Sequence, residues 1–145
     1  MLLLSLFLLL ALANVFGQRP SGATASNGRA TLKVYAPTSV RGGLFFEGRF
    51  TVEAHAELKA AVLVLSQGWL EGITVNTIEP APVGEGSRNG SLTLDLGHVP
   101  AGERHVLYIQ FQVDPTNVGR RSADVELDDG DEKLLSLHRV LTIWP

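Results

Sequence analysis

The sequence predicts an all-β domain, an antiparallel β-sandwich, preceded by one N-terminal hydrophobic helix. Three observations predict this architecture. An almost unbroken apolar run covers residues 1–16, apolar residues alternate with a period of two from Ala30 onward, and the dipeptides Asn89-Gly90 and Asp129-Gly130 favour hairpin turns between alternating segments. Outside the N-terminal run, no window of about ten residues has a convincing helical period, so no helix is predicted in the body.

Length and composition limit the classes of function. The chain has 145 residues, with 12 basic and 15 acidic side chains, a net charge of −3 and no cysteine. This length suits one domain of ordinary size, and the charge, without any basic stripe, argues against nucleic acid as a partner. The absence of cysteine excludes disulfides, thiolate metal sites and cysteine nucleophiles, so packing alone must hold the sandwich together.

Residues 1–17 form the first predicted unit, a signal anchor or signal peptide. A helix over Leu2–Gly17 would rise about 24 Å, which is short for a hydrocarbon core of about 30 Å and long for the apolar part of a signal peptide. Ala11-Leu12-Ala13 resembles the cleavage pattern of a signal peptide. If the run is instead an anchor, Arg19 after it would place the domain on the cytoplasmic side. No basic residue precedes the run, so we expect the true start to lie upstream. The sequence favours a single-pass membrane anchor with an extracytoplasmic domain, and a secreted, cleaved form is the alternative.

Residues 18–29 are rich in Ser, Gly, Ala and Pro and predict a flexible linker before a domain at residues 30–145. Residues 60–65 are continuously apolar; a helix over 55–65 is conceivable, but the β-branched run and the strand spacing favour a strand. Gly48, on the inner face of the second strand, predicts a bulge. The predicted strands cover residues 31–36, 44–55, 60–65, 91–96, 104–113, 122–128 and 135–143.

Strands at intervals of about 8–12 residues predict an immunoglobulin-like β-sandwich of seven to eight strands. Two segments carry a resemblance. Residues 70–75 (LEGITV) and 92–103 (LTLDLGHVPAGE) follow the order of the conserved-repeat immunoglobulin-like β-sandwich modules of bacterial cell-surface proteins, and the chain resembles small membrane-anchored bacterial proteins with one such domain. The resemblance implies a sandwich fold, an extracytoplasmic place and a spacer, adhesive or partner-binding role.

No motif predicts catalysis, a cofactor or a metal. A calcium loop with its glycine at Gly130 needs oxygen ligands five and three residues earlier, where the acidic segment Asp124–Glu132 has Val125 and Leu127. We therefore interpret the segment as an exposed hairpin tip, and a weak calcium site near Asp128–Asp131 stays open. The histidines lack the spacing of a shared metal site, and no nucleophile elbow is present. The sequence therefore predicts that the protein is not an enzyme.

Surface residues remain as candidates for partner contact. Trp69 and Leu70 lie between two glycines, where an aromatic ring would either anchor a partner or close the open end of the sandwich. Arg120-Arg121 forms either a rim for anionic groups or a solvated pair. The leading hypothesis is a tethered, non-catalytic module that binds a membrane-protein or cell-envelope partner, including through an open sheet edge. The alternative is a secreted carbohydrate- or ligand-binding module, because three aromatic residues are predicted to face outward: Phe45, Tyr35 and Tyr108.

Overall fold

The computed structural model describes residues 1–12 and 20–145, in which a helix, α1 (Leu2–Leu12), precedes a body of short strands. A single helical turn of 3-10 type, Gln67–Trp69, interrupts that body. The strands are β1 (Pro20–Ser26), β2 (Ala30–Pro37), β3 (Ser39–Arg41), β4 (Phe45–Ala54), β5 (Leu58–Leu65), β6 (Ile73–Glu79), β7 (Gly84–Arg88), β8 (Ser91–Val99), β9 (Arg104–Val113), β10 (Gly119–Ser122), β11 (Val125–Asp129), β12 (Glu132–Leu137) and β13 (Val140–Trp144).

The strands form three sheets. Sheet I has the order β1-β2-β4-β9-β6, sheet II has the order β12-β11-β5-β8-β7, and sheet III has the order β10-β13-β3. Every pair is antiparallel except β13 with β3. The inward side chains of sheets I and II share one apolar core, so the predicted antiparallel β-sandwich is confirmed.

The core is built from the alternation that the sequence shows. On β4 and β9, Phe46 and Phe111 stack with ring centroids 4.9 Å apart. Gly48, two residues after Phe46 on β4, pairs with Ile109 in an unbroken register, so the predicted bulge is wrong. A Cβ at Gly48 would lie 2.8 Å from a ring carbon of Phe50, which shows that glycine is there to leave room for the aromatic rings.

Residues Pro20–Ser26, which the sequence assigns to a flexible linker, form the edge strand β1 in the structure. This strand pairs with β2 along its length, from Pro20 opposite Pro37 to Ser26 opposite Thr31. Backbone pairing does not need large side chains, so a segment of small residues without an apolar period can still complete a sheet. Ala23 and Ala25 also pack against the core.

Arg139 joins this edge to the rest of the sandwich. Its guanidinium is buried and donates to the carbonyl oxygens of Ala36 at 2.7 Å, Val34 at 3.2 Å and Ser21 at 3.2 Å. Burial lowers the pKa of Arg139 from its usual value. The one charged residue that breaks the apolar face of the last predicted strand is therefore a donor that holds β1 and β2.

The two hairpin predictions have different outcomes. Asn89 and Gly90 have φ angles of 51° and 82° between Arg88 and Ser91, as a type I′ turn between β7 and β8 requires. In the β11–β12 hairpin, Asp129 pairs with Glu132, so the turn residues are Gly130 and Asp131 and the predicted turn is one residue out of place.

Candidate functional site

Trp69 lies in the core. Its side chain is 1% exposed, its ring contacts those of Phe50 and Phe111 at centroid distances of 5.5 and 5.4 Å, and its Nε1 donates to the carbonyl of Asp124 at 3.1 Å. Partner contact through the indole does not fit this burial. Of the two interpretations that the sequence left open, the structure places Trp69 as the ring that closes the interior.

Of the other predicted contact residues, Leu70 and Arg121 contact other parts of the protein and Arg120 is exposed. Leu70 packs partly buried against the core. Arg121 donates to the carbonyl of Glu71 and to Oδ1 of Asn117, the latter at 2.7 Å, so its guanidinium fastens the loop after the 3-10 turn. Arg120 is exposed on β10. These residues do not form one patch, because three of the four hold the end of the sandwich in place.

The outer face of sheet I presents the strongest arrangement of exposed side chains. Tyr35 on β2, Arg49 on β4 and Tyr108 on β9 are directly opposite one another, so the three lie in one row across neighbouring strands. Tyr35 is 43% exposed and Tyr108 is 41% exposed. Phe45, 59% exposed, lies four residues before Arg49 on the same face of β4, about 13 Å along the strand. We call this surface the aromatic face.

Arg49 lies between the two tyrosines and contacts the ring of Tyr35. Its guanidinium carbon lies 4.7 Å from the centroid of the Tyr35 ring, which is the geometry of a cation–π contact. Tyr35 and Tyr108 are separated by two strand spacings, about 10 Å. The row therefore presents two amphipathic rings at a fixed spacing with a multiple hydrogen-bond donor between them.

Polar side chains fill the next positions on the aromatic face. Glu47 and Gln110 are directly opposite each other on β4 and β9 and are joined by a hydrogen bond between the Gln110 amide and the Glu47 carboxylate. Gln112 lies opposite Phe45. A shallow depression of about 230 Å³ opens here, lined by Pro20, Tyr35, Pro37, Glu47 and Arg49. The face is shallow and mixed in character, which suits an extended polar ligand better than an enclosed small molecule.

The sequence located part of this site. Strand alternation correctly placed Tyr35, Phe45 and Tyr108 on outward positions. Arg49 was not among the predicted contact residues, because the row depends on the pairing of β2, β4 and β9, and the register of separate strands is not visible in alternation alone.

The sequence left a weak calcium site near Asp128–Asp131, in the acidic hairpin, as an alternative. Asp129 is occupied by protein donors: its Oδ2 accepts from Arg29 at 2.8 Å and its Oδ1 accepts from the backbone N–H of Ala60 at 3.0 Å. Asp128 is 1% exposed and accepts from Arg88 at 3.0 Å; burial, with a smaller contribution from a hydrogen bond to Glu126, raises its pKa to about 6. Within residues 1–12 and 20–145, no group of three His, Asp or Glu side chains is arranged to hold a metal ion.

The structure describes the first part of the predicted N-terminal unit. Helix α1 covers Leu2–Leu12, and the remainder of the predicted residues 1–17 lies outside the described residues. Among the helices that the structure describes, none has the combined length and apolar character needed to cross a membrane.

The similarity of this chain to known proteins is found among solved structures. No protein-family model and no curated protein matches the chain, so the resemblance to conserved-repeat modules stays a prediction. The CARDB domain of a Pyrococcus furiosus protein, solved in complex with di-metal ions, is similar at 16% identity and a TM-score of 0.46, over 82% of this chain and 97% of that chain.

Two other solved β-sandwich domains are similar. The chitin-binding domain of a Pyrococcus furiosus chitinase is 15% identical with a TM-score of 0.48, over 77% of this chain and 98% of that one. A non-cellulosomal cohesin from Archaeoglobus fulgidus is 12% identical with a TM-score of 0.47, over 76% of this chain and 88% of that one.

Proposed function

We propose that this protein is a non-catalytic binding module and that its aromatic face binds an extended polysaccharide. The observation that carries the proposal is the row Tyr35–Arg49–Tyr108, with Phe45 further along the same exposed face. The apolar C–H face of a sugar ring packs on an aromatic ring, while its hydroxyls need polar partners at the ring's edge. The aromatic face offers both kinds of group.

The polar groups make a glycan a better occupant than an apolar surface. Arg49 offers N–H donors, and Glu47, Gln110 and Gln112 offer acceptors and donors beside the rings. A hydrophobic protein interface would need a larger contiguous apolar patch than two separated tyrosine rings and Phe45 supply. The shallow depression between Tyr35 and Arg49 would seat one sugar residue, with the chain continuing across β9 toward Tyr108.

A depletion assay tests this function. The full chain is mixed with insoluble chitin, cellulose or peptidoglycan, and the protein left in solution is measured. We expect at least one polysaccharide to deplete the protein, and the single variants Tyr35→Ala and Tyr108→Ala to remain in solution. Trp144→Ala is the matched control, because Trp144 is an exposed aromatic residue on sheet III. Equal depletion of all four proteins would contradict the proposal.

We also propose that the module acts outside the cytoplasm, exported by its apolar N-terminal segment and either retained there as an anchor or released. Two features support export: α1 is an eleven-residue helix made almost wholly of apolar residues, and Ala11-Leu12-Ala13 resembles a cleavage pattern. Cell fractionation with N-terminal sequencing of the mature protein tests it. A mature chain that begins at Asn14 in the supernatant would favour the released form, and recovery from the cytoplasm would contradict export.

A further inference from the structure

A groove of about 400 Å³ runs along the side of the sandwich where β6 and β7 face each other. Its apolar lining comes from four partly buried side chains, Leu70, Val75, Ile78 and Leu92, which also pack against the core. The segment that joins β6 to β7 adds Ala81 and Pro82. None of the residues that line the groove belongs to the row of Tyr35, Arg49 and Tyr108, and the inference that follows does not depend on the proposed function.

Both walls of the groove are sheet edges. In the part of the chain that the structure describes, β6 pairs only with β9 and β7 pairs only with β8, so each has one unpaired side. An edge strand presents a row of free backbone N–H and C=O groups, and another extended chain satisfies that row best. A lipid chain or an apolar helix would fill the groove but leave these groups unpaired.

The lining of the groove carries acidic charge. Glu85 is the one charged residue that lines it among the described residues, and Glu79 follows directly on β6. Both carboxylates are on exposed residues. A basic partner would meet favourable charge here, whereas an acidic one would be repelled.

We propose that this groove takes an extended peptide segment of a partner protein, which adds a strand to the free edge of β6. Alternate apolar side chains of that segment would pack on Val75, Ile78 and Leu92, and Lys or Arg at its ends would lie near Glu85 and Glu79. Backbone pairing would supply affinity, and the apolar lining and acidic rim would supply specificity.

The test uses defined probes on the full chain. One labelled peptide has nine residues that alternate valine with threonine and carries two lysines at each end; the comparison peptide carries glutamates instead. Binding is followed by fluorescence anisotropy, and the bound strand is located by backbone hydrogen–deuterium exchange. We expect the lysine peptide to bind and to slow exchange in Ile73–Glu79, and the glutamate peptide to bind at least about fivefold more weakly.

Variants assign the effect to the groove. Glu85→Lys should weaken the lysine peptide about fivefold and strengthen the glutamate peptide. Glu103→Lys makes the same charge change at the β8–β9 turn and should alter the binding of neither peptide. Unchanged exchange in β6 with both peptides would overturn the proposal. Concentration-dependent dimerisation that protects β6 without peptide would also overturn it, in favour of a second copy of the chain.

Discussion

Replacing Trp69 with alanine should destabilise the domain severely without removing any binding surface. The substitution deletes a fully buried ring that contacts Phe50 and Phe111, and removal of a large core aromatic residue costs about 3–5 kcal/mol. The lost Nε1 hydrogen bond adds little, because the carbonyl of Asp124 also accepts from the backbone N–H of Ser66 at 3.0 Å. Against a total stability of about 5–15 kcal/mol, this loss is a large fraction.

Urea unfolding followed by far-ultraviolet circular dichroism measures this loss. Trp69→Phe keeps most of the ring and should cost about 1–2 kcal/mol, and Trp144→Ala, which removes a half-exposed ring, should cost less than about 1 kcal/mol. The reasoning is refuted if Trp69→Ala unfolds at nearly the same urea concentration as Trp144→Ala. A stable Trp69→Ala protein that had lost a ligand would instead restore the interpretation of Trp69 as a contact residue.

Three further predictions concern buried positions. Gly68→Ala should destabilise by about 1–3 kcal/mol in urea unfolding, because its Cβ would overlap the carbonyl oxygen of Ser122, whereas Gly28→Ala, with open space around it, should be neutral. Arg139→Met should cost about 1–3 kcal/mol and speed hydrogen exchange in β1, because three backbone acceptors lose their donor. The pKa of Asp128 in the folded protein is raised to about 6, so the folded protein binds more protons than the unfolded chain between about pH 4 and pH 6. The free energy of unfolding should therefore fall as the pH rises through that window, and Asp128→Asn should flatten this dependence.

The sequence predicted the strands that carry large alternating side chains. β2, β4, β5, β8 and β9 all lie where alternation or a continuous apolar run placed them, because each buries a face that a period of two makes visible. Residues 55–65 show this well, because β5 occupies Leu58–Leu65 despite the helix-forming Ala, Glu and Lys, and β-branched Val62 and Val64 lie within it. Asn89-Gly90 was also sufficient to locate its hairpin.

Edge strands were not predictable in the same way. β1 and β7 consist largely of small or exposed residues, and β3 is three residues long, so none contributes an apolar period. Their backbones pair with neighbours that have strong side-chain patterns of their own. The candidate groove was missed for the same reason, since its walls are β6 and the weakly patterned β7.

The candidate site depended on register. The sequence placed Tyr35 and Tyr108 outward, but it had no means of showing that Arg49 separates them in one row, because strand pairing is settled by core packing on the opposite face. For Trp69 the sequence left burial and exposure open, and contact with two core phenylalanines decided between them.

The dissociation constant for a polysaccharide that depletes the protein from solution tests most directly whether the aromatic face is the binding surface. We expect Tyr108→Ala to raise that constant about five- to thirtyfold, equivalent to about 1–2 kcal/mol for one lost ring, while Trp144→Ala changes it less than about twofold. Circular dichroism of each variant confirms that it is folded. A Tyr108→Ala protein that is folded and binds as tightly as the unmodified chain would contradict the account.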